Sequence, residues 1–342
     1  MILVTGSSGL IGSEAVSFYC NNGADVIGVD NNMRKFFFGE RGDTTWNLNR
    51  LQNAHKNFKS LSIDIRDKEA INKLFAEYPF ELVVHCAAQP SHDKAKDLPI
   101  IDFEVNANGT LHLLEAFRKH TPNGVFVHMS TNKVYGDAPN ELNLVELDTR
   151  YDYEHEEYAN GITENFRIDQ STHSLFGASK LAADIVVQEY GRYFDLNTGV
   201  FRGGCLTGPS HSGVELHGFL NYLIKVAKDG GQYTIFGYKG KQVRDNIHSY
   251  DVIQAFESFR KNPRKGEVYN LGGGRANSIS MIEALEKAKS MSQKDFYWKY
   301  DKVNRVGDHI CYISDLSKFQ SHYPEWSITK SLEDIYSEIF SA

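Results

Sequence analysis

The chain has 342 residues, 41% hydrophobic and 24% charged, enough for a full core and about two domains. Its net charge of −7 argues against a sequence-independent nucleic-acid binder but leaves room for a local cationic pocket that takes phosphate. No apolar run reaches the ~20 residues needed to span a bilayer, so no membrane partner is expected.

The chain opens on the strand-like Ile2-Leu3-Val4-Thr5, with no charged leader or cleavage site, and a cytoplasmic location is expected. Cys20, Cys86, Cys205 and Cys311 have no paired short spacing. Neither a disulfide framework nor a metal site is therefore expected, and free thiols fit a reducing compartment.

Up to about residue 200, short apolar runs alternate with helical patterns. Strands are expected at Ile2–Thr5, Asp25–Asp30, Ser60–Ile63, Glu81–Cys86, Val125–Met129 and Thr198–Phe201, with amphipathic stretches near 10–21, 68–77, 102–119 and 177–194. Nearly all-apolar strands alternating with helices imply a doubly wound parallel sheet covered on both faces, an α/β fold of the Rossmann type. Residues 137–172 break the rhythm with ten acidic residues against two arginines. A solvated loop is the plain reading, but a long insertion ending at a helix reads equally well as a lid.

After residue 203 the pattern loosens into a smaller C-terminal α/β lobe, with a helix near 215–228 and strands near 232–236 and 243–247. Val243–Ser249 and Val268–Leu271 read as strands flanking a helix that returns to the first domain. The division is therefore 1–203 with 243–271 for the first domain, and 204–242 with 272–342 for the lobe.

Thr5-Gly6-Ser7-Ser8-Gly9-Leu10-Ile11-Gly12 lies between the first strand and the first helix. Such glycines allow a tight turn and close approach of backbone to a pyrophosphate, which meets the free N–H groups and positive end of the helix. Strand, helix and a downstream acid together make this a dinucleotide-binding signature. The acid is Asp30, placed to accept both ribose hydroxyls and to repel a 2′-phosphate, so the expected cofactor is NAD rather than NADP. Arg34 nearby reads as a loop charge.

Several further segments resemble the extended short-chain dehydrogenase/reductase family, in its nucleotide-sugar epimerase and dehydratase branch. They are Asp64-Ile65, His85-Cys86-Ala87-Ala88, Asn106-Ala107-Asn108-Gly109-Thr110 and Ser130-Thr131-Asn132-Lys133-Val134-Tyr135-Gly136. The resemblance implies an NAD site formed by Gly6, Gly9, Leu10, Ile11, Gly12, Asp30, Asn31, Asp64, Ile65, Ala87, Ala88, Gln89, Asn106 and Lys180. Gly240-Lys241-Gln242-Val243-Arg244-Asp245 and Arg305-Val306-Gly307-Asp308 resemble segments that hold the nucleotide sugar. They imply Arg244, Arg305 and Asp308 as substrate contacts, alongside Thr131 and Cys205. Within the branch, Ser130–Asp137, His173–Lys180 and Gly240–Asp245 resemble epimerases acting on carbon 2 of CDP-sugars; a 4-epimerase of UDP-sugars is the alternative. Related dehydratases carry acids directly after the Thr, where this chain has Asn132 and Lys133, so dehydration is disfavoured.

The implied reaction is transient oxidation of the sugar and return of the hydride to the opposite face. Thr131 would bond the reacting oxygen, and Lys180 would hold the nicotinamide ribose and stabilise a tyrosinate. The tyrosine itself is absent. His173-Ser174-Leu175-Phe176-Gly177-Ala178-Ser179-Lys180 places Phe176 where Tyr-x-x-x-Lys is expected. Three readings follow: another base substitutes, with His173 and Tyr135 as candidates; the protein binds without turnover; or the Tyr was replaced to trap substrate. In the stretch Phe201–Pro209, Cys205 stands where the family has Asn or Ser, and reads as a packed residue rather than a nucleophile. Members of the branch pair two helices per subunit, so a homodimer through the helices near 102–119 and 177–194 is expected.

Overall fold

The computed structural model describes residues 1–214, 218–292, 294–303 and 307–342. Seven strands lie side by side in the order Glu267–Leu271, Asn197–Gly203, Val125–Thr131, Leu82–His85, Ile2–Thr5, Val26–Val29, Phe58–Leu61. All are parallel. Alternation along each strand feeds two cores. Ile2 and Val4 pack with Ile11, Val16, Val252 and Phe256, whereas Leu3 packs with Leu74, Leu113, Phe117 and Val187 on the other face. Both faces are therefore dry, which is why these strands are written in Val, Ile and Leu rather than in alternating apolar and polar residues.

The order of strand addition reverses at the first strand, Ile2–Thr5, which has Val26–Val29 on one side and Leu82–His85 on the other, with Thr5 opposite both Val29 and His85. A crevice opens beyond the carboxyl ends of the strands at such a switch point. The third strand, Phe58–Leu61, begins two residues earlier than its apolar run predicts, and the strand Asn197–Gly203 extends past Phe201.

The second lobe is built on Val243–His248. This strand pairs antiparallel with Ser278–Ser280 and parallel with Cys311–Tyr312 and Cys205–Thr207. It does not join the large sheet, as its reading as part of the first domain requires. The chain returns there through the helix Ser249–Lys261, packed on Leu10–Asn21, and through the edge strand Glu267–Leu271. Val243–His248 is buried along its whole length although it carries Arg244, Asp245, Asn246 and His248, and such a pattern does not reveal which sheet the strand joins. Helices Phe219–Asp229, Met281–Met291 and Leu332–Ser341 close a separate core around Leu223, Ile224, Leu285 and Ile335.

The acidic segment 137–172 is a strap, not a lid. It forms the hairpin Leu144–Glu146 with Tyr151–Tyr153 and lays Tyr153 and Ile162 into a core with Val243, Tyr312 and Ile313. Two of its acids pair with basic residues of the second lobe: Glu146 with Lys239 and Lys241, and Asp152 with Arg275. Glu164 accepts the N–H of Asn270 at 2.7 Å. No residue of this segment lines the main cavity.

Candidate active site

A cavity of about 440 Å³ runs from the first glycine turn to the second lobe. At one end, Gly6, with φ +68°, lets the chain turn sharply against Ala87. A Cβ on Gly12 would stand 2.0 Å from the Gly6 carbonyl oxygen. The helix Leu10–Asn21 starts at Gly9 with no side chain capping it, so its first N–H groups are left to the cavity. Asp30 is held by the N–H groups of Ser8 and Asn32 at 2.9 and 2.8 Å. Burial raises its carboxyl from the ordinary value, and those two N–H groups oppose the rise. An uncapped glycine-lined helix start with a fixed carboxylate beyond it fits a dinucleotide. Gly9, Leu10, Ile11, Asn31, Ala87 and Ala88 line the same end.

Asp64 and Ile65 also line it. The Asp64 carboxylate is gripped by Arg66, with Nη2–Oδ2 at 2.7 Å, and that contact holds it below the usual range. Gln89 and Asn106, expected to touch the cofactor, do not reach the cavity. Asn106 sits on a π-helical turn, Glu104–Asn108. It donates to the Gln89 carbonyl (3.1 Å), to Asp102 (3.2 Å) and to Ser179 (3.0 Å), while Gln89 Nε2 donates to Asp102 at 2.7 Å. This fully buried polar network must satisfy itself, so these side chains are committed to each other. It locks Ser179 in place, and with it the neighbouring Lys180.

In the middle of the cavity stand Thr131, Phe176 and Lys180. Thr131 ends its strand and accepts the Lys133 N–H at 3.2 Å. Phe176 and Lys180 are four apart on the helix Leu175–Tyr193 and so share one face. Lys180 Nζ donates to the Met129 carbonyl at 2.8 Å, and burial brings its amine down to about 8. Beneath it His85 is bonded to Thr5 (2.7 Å) and Thr110 (2.9 Å); its burial foremost, then the Lys180 charge, lower it to about 3. Phe176 is buried and carries no titratable atom.

Neither substitute base read from the sequence faces this point. Both ring nitrogens of His173 point at main-chain carbonyls, those of Ser171 (3.0 Å) and Val134 (2.7 Å). Tyr135 is fully buried behind the wall, with its hydroxyl on Asn270 (2.8 Å) and Arg202 (3.1 Å). Burial drives that phenol up to about 12. Strand Val125–Thr131 and the turn after it carry both segments past the cavity, and short sequence distance alone does not show which side chains turn inward.

At the far end lie Cys205, Arg244 and Asp308. Arg244 is buried and donates to Asp308 at 2.6 Å, and Lys133 Nζ reaches the Gly307 carbonyl at 2.9 Å. Burial pushes the Cys205 thiol up to about 12, consistent with a packed residue. Arg305 lies outside the described residues. Three lining residues escaped the sequence reading. Arg34 donates to the Ser212 carbonyl at 2.7 Å, tying the two lobes. Lys133 was read only as a missing acid. His92 packs its ring on Phe176, with centroids 4.9 Å apart; its position two residues after the Ala87-Ala88-Gln89-Pro90 stretch was the available signal.

Residues 2–272 match the family model described as the NAD dependent epimerase/dehydratase family. The chain is 34% identical over 340 residues to CDP-paratose 2-epimerase of Salmonella typhi, covering 97% of this chain and 96% of that protein. It is 28% identical over 341 residues to UDP-glucuronate 4-epimerase of Thermodesulfobacterium geofontis, covering 97% and 93%. It superposes on UDP-glucose 4-epimerase of Thermotoga maritima with UDP-glucose at TM-score 0.79 and 26% identity, covering 99% and 97%. Glycine turn, Asp30, Thr131 and Lys180 along one cavity agree with this full-length match: the chain is an enzyme of the NAD dependent epimerase/dehydratase family, and NAD is its cofactor.

Proposed function

We propose that the protein inverts one carbon of a nucleotide sugar, with a CDP-sugar epimerised at carbon 2 as the substrate class. The observation that carries this reading is the single cavity joining the dinucleotide turn, Thr131 and Lys180 to the Arg244–Asp308 pair. The relative that acts on CDP-paratose, similar along its whole length, supports the choice of base and carbon. NAD, when bound, supplies the hydride acceptor and donor. The chain's own residues do the rest. Asp30 and the glycine turn fix the dinucleotide, Thr131 holds the reacting oxygen and Lys180 presents a cation beside it. Arg244, held by Nη2 on Asp308 and Nη1 on the Val243 carbonyl, takes the diphosphate end as a cationic wall. Arg305 is proposed for the same end on the strength of its motif alone.

Incubation with CDP-paratose, UDP-glucose and UDP-glucuronate, followed by proton NMR of product stereochemistry, tests this; inversion of the CDP-sugar at carbon 2 is expected. Inversion of a UDP-sugar at carbon 4 would move the assignment to the 4-epimerase reading, which the UDP-glucuronate 4-epimerase relative favours. Tight binding of all three without turnover would favour a binding protein, the reading that Phe176 supports.

We also propose a homodimer. Ile100 and Phe103 on one helix, Leu111 on the next, and Leu175 and Ile185 on Leu175–Tyr193 are exposed apolar side chains. Ile185→Glu should shift the solution mass from dimer to monomer at micromolar concentration. Four cysteines without disulfides fit a cytoplasmic location; among the described residues no helix is long and apolar enough to cross a membrane.

A further inference from the structure

Behind the cavity wall lies an ion pair that the reaction above does not use. Asp184 is completely buried and Arg202 nearly so. We propose that Asp184 is a positioning residue for epimerisation, acting through Lys180 and Thr131: it holds the two in register and places an anion one helical turn from the lysine. This rests on the epimerase reading above.

Lys180 and Asp184 are four apart on the helix Leu175–Tyr193 and share a face. That face meets two consecutive residues of the strand Val125–Thr131. Lys180 Nζ donates to the Met129 carbonyl at 2.8 Å, and Ser130 Oγ donates to Asp184 Oδ2 at 2.6 Å. The next residue is Thr131, so both bonds fix its place at the strand end. Arg202 stands opposite Ser130 on the neighbouring strand, and the residue after it, Gly203, also lines the cavity. Arg202 forks onto the same carboxylate, with Nε on Oδ2 at 3.0 Å and Nη2 on Oδ1 at 2.9 Å. Gln188 Nε2 donates to Oδ1 at 2.7 Å. Arg202 Nη1 donates to the Tyr135 hydroxyl at 3.1 Å, which in turn donates to Asn270 Oδ1 at 2.8 Å. One carboxylate therefore joins the helix of Lys180 to two walls of the site through charge-assisted bonds.

Packing alone does not call for this arrangement. A buried ion pair is often no more stabilising than an apolar pair of the same volume. An apolar pair would neither bond Ser130 nor face Lys180 with an anion. The groups that face Lys180 are Asp184 on its own helix, Asp102 on Pro99–Phe103, His128 on Val125–Thr131, and His85 with Cys86 at the end of Leu82–His85. Burial holds both imidazoles neutral and pushes the Cys86 thiol up to about 12. Burial also raises the Asp102 carboxyl. Burial brings the Lys180 amine down to about 8, and Asp184 is the foremost charge opposing that fall. Removing the anion disfavours the ammonium, so the amine must then lose its proton at lower pH.

The test uses NAD-loaded protein and Asp184→Asn. The lysine ε-carbons are observed by carbon-13 NMR, with Lys180 identified as the signal lost in Lys180→Met. In the unchanged protein that signal should titrate at about 8. Asp184→Asn should lower the midpoint by about one pH unit. An unmoved midpoint would overturn the proposal, since a merely structural carboxylate changes stability and not this titration. Turnover of CDP-paratose gives a second readout. Asp184→Asn should lose about 10- to 100-fold in kcat, with CDP-paratose affinity within about threefold. The alkaline limb of its pH profile should move down by the same interval. Asn leaves Arg202 buried without its anion, so this variant can fail to fold. Asp184→Leu combined with Arg202→Met removes both charges; it should fold and still lose at least about tenfold in kcat. Turnover of the double variant within about threefold of the unchanged protein would overturn the proposal. A double variant that does not fold would overturn it too, by showing the pair to be structural. If the unchanged protein converts neither CDP-paratose nor UDP-glucose, the epimerase reading itself has failed, and the NMR titration alone decides whether Asp184 sets the charge of Lys180.

Discussion

The two ends of the cavity are built in opposite ways. At the cofactor end, one run of eight residues, Thr5–Gly12, makes the turn, the helix start and the close approach, with Asp30 at the end of the next strand. At the sugar end, His92, Thr131, Phe176, Cys205, Arg244 and Asp308 arrive from six separate segments. The first end depends on local backbone geometry. The second depends on the convergence of separate segments, so the side chains there are set by packing over long sequence separations.

Substitution at the cofactor end should give the largest effect. Gly12→Ala places a Cβ 2.0 Å from a backbone oxygen that cannot swing away. The cost should be about 3 kcal/mol, roughly 100-fold in NAD affinity, read by calorimetric titration. An unchanged affinity would break the claim that sterics hold this end. Arg244→Gln tests the opposite end. Loss of a charge-assisted contact should weaken CDP-paratose binding by about 10- to 100-fold and leave NAD binding alone. If both affinities fell together, the two ends would not be separable.

A smaller effect concerns acid. His85 and His211 are held neutral by burial, each lowered to about 3. Below about 6.5 the unfolded chain takes up protons at these rings while the folded chain does not, so stability falls as the pH drops from about 6.5 toward 3. At pH 5 each ring should contribute about 2 kcal/mol of that loss. His85→Gln should flatten the fall in melting temperature between pH 7 and pH 5. His85 lies under the cofactor end, so an unaltered slope would place the acid-sensitive groups elsewhere. The smallest effect is expected at the bridge between lobes. Trp46 Nε1 donates to Ser212 Oγ at 3.1 Å, close to where Arg34 reaches the Ser212 carbonyl. An exposed neutral hydrogen bond contributes about 1 kcal/mol, so Trp46→Phe should weaken NAD binding by less than about tenfold.

What could be read from the sequence follows the same division. The parallel sheet was legible because strands buried on both faces are largely apolar, as Ile2-Leu3-Val4, Leu82-Val83-Val84 and Val125-Phe126-Val127 are. That the glycine turn, Asp30, Thr131 and Lys180 lie along one cavity was legible because each is placed relative to the end of a strand or the start of a helix. Gln89 and Asn106 were placed in the right neighbourhood but on the wrong side of the wall, since a motif gives a segment and not the direction of a side chain. Of the two readings of 137–172, the lid fails because no residue of the segment lines the main cavity, and the packing of Tyr153 and Ile162 into the core beside Val243 and Tyr312 is a long-range contact that its acidity does not signal.

By itself the sequence determined the fold, the cofactor and the absence of a phenol at Phe176. Each is a property of covalent identity or of short-range backbone order, where hydrophobic period and glycine sterics leave few alternatives. Only the tertiary structure decided that His173 and Tyr135 are occupied elsewhere and that His92, 84 positions before Phe176, lies against its ring. Contacts across such a separation are set by the packing of helices and lobes, and no local pattern in the chain encodes them.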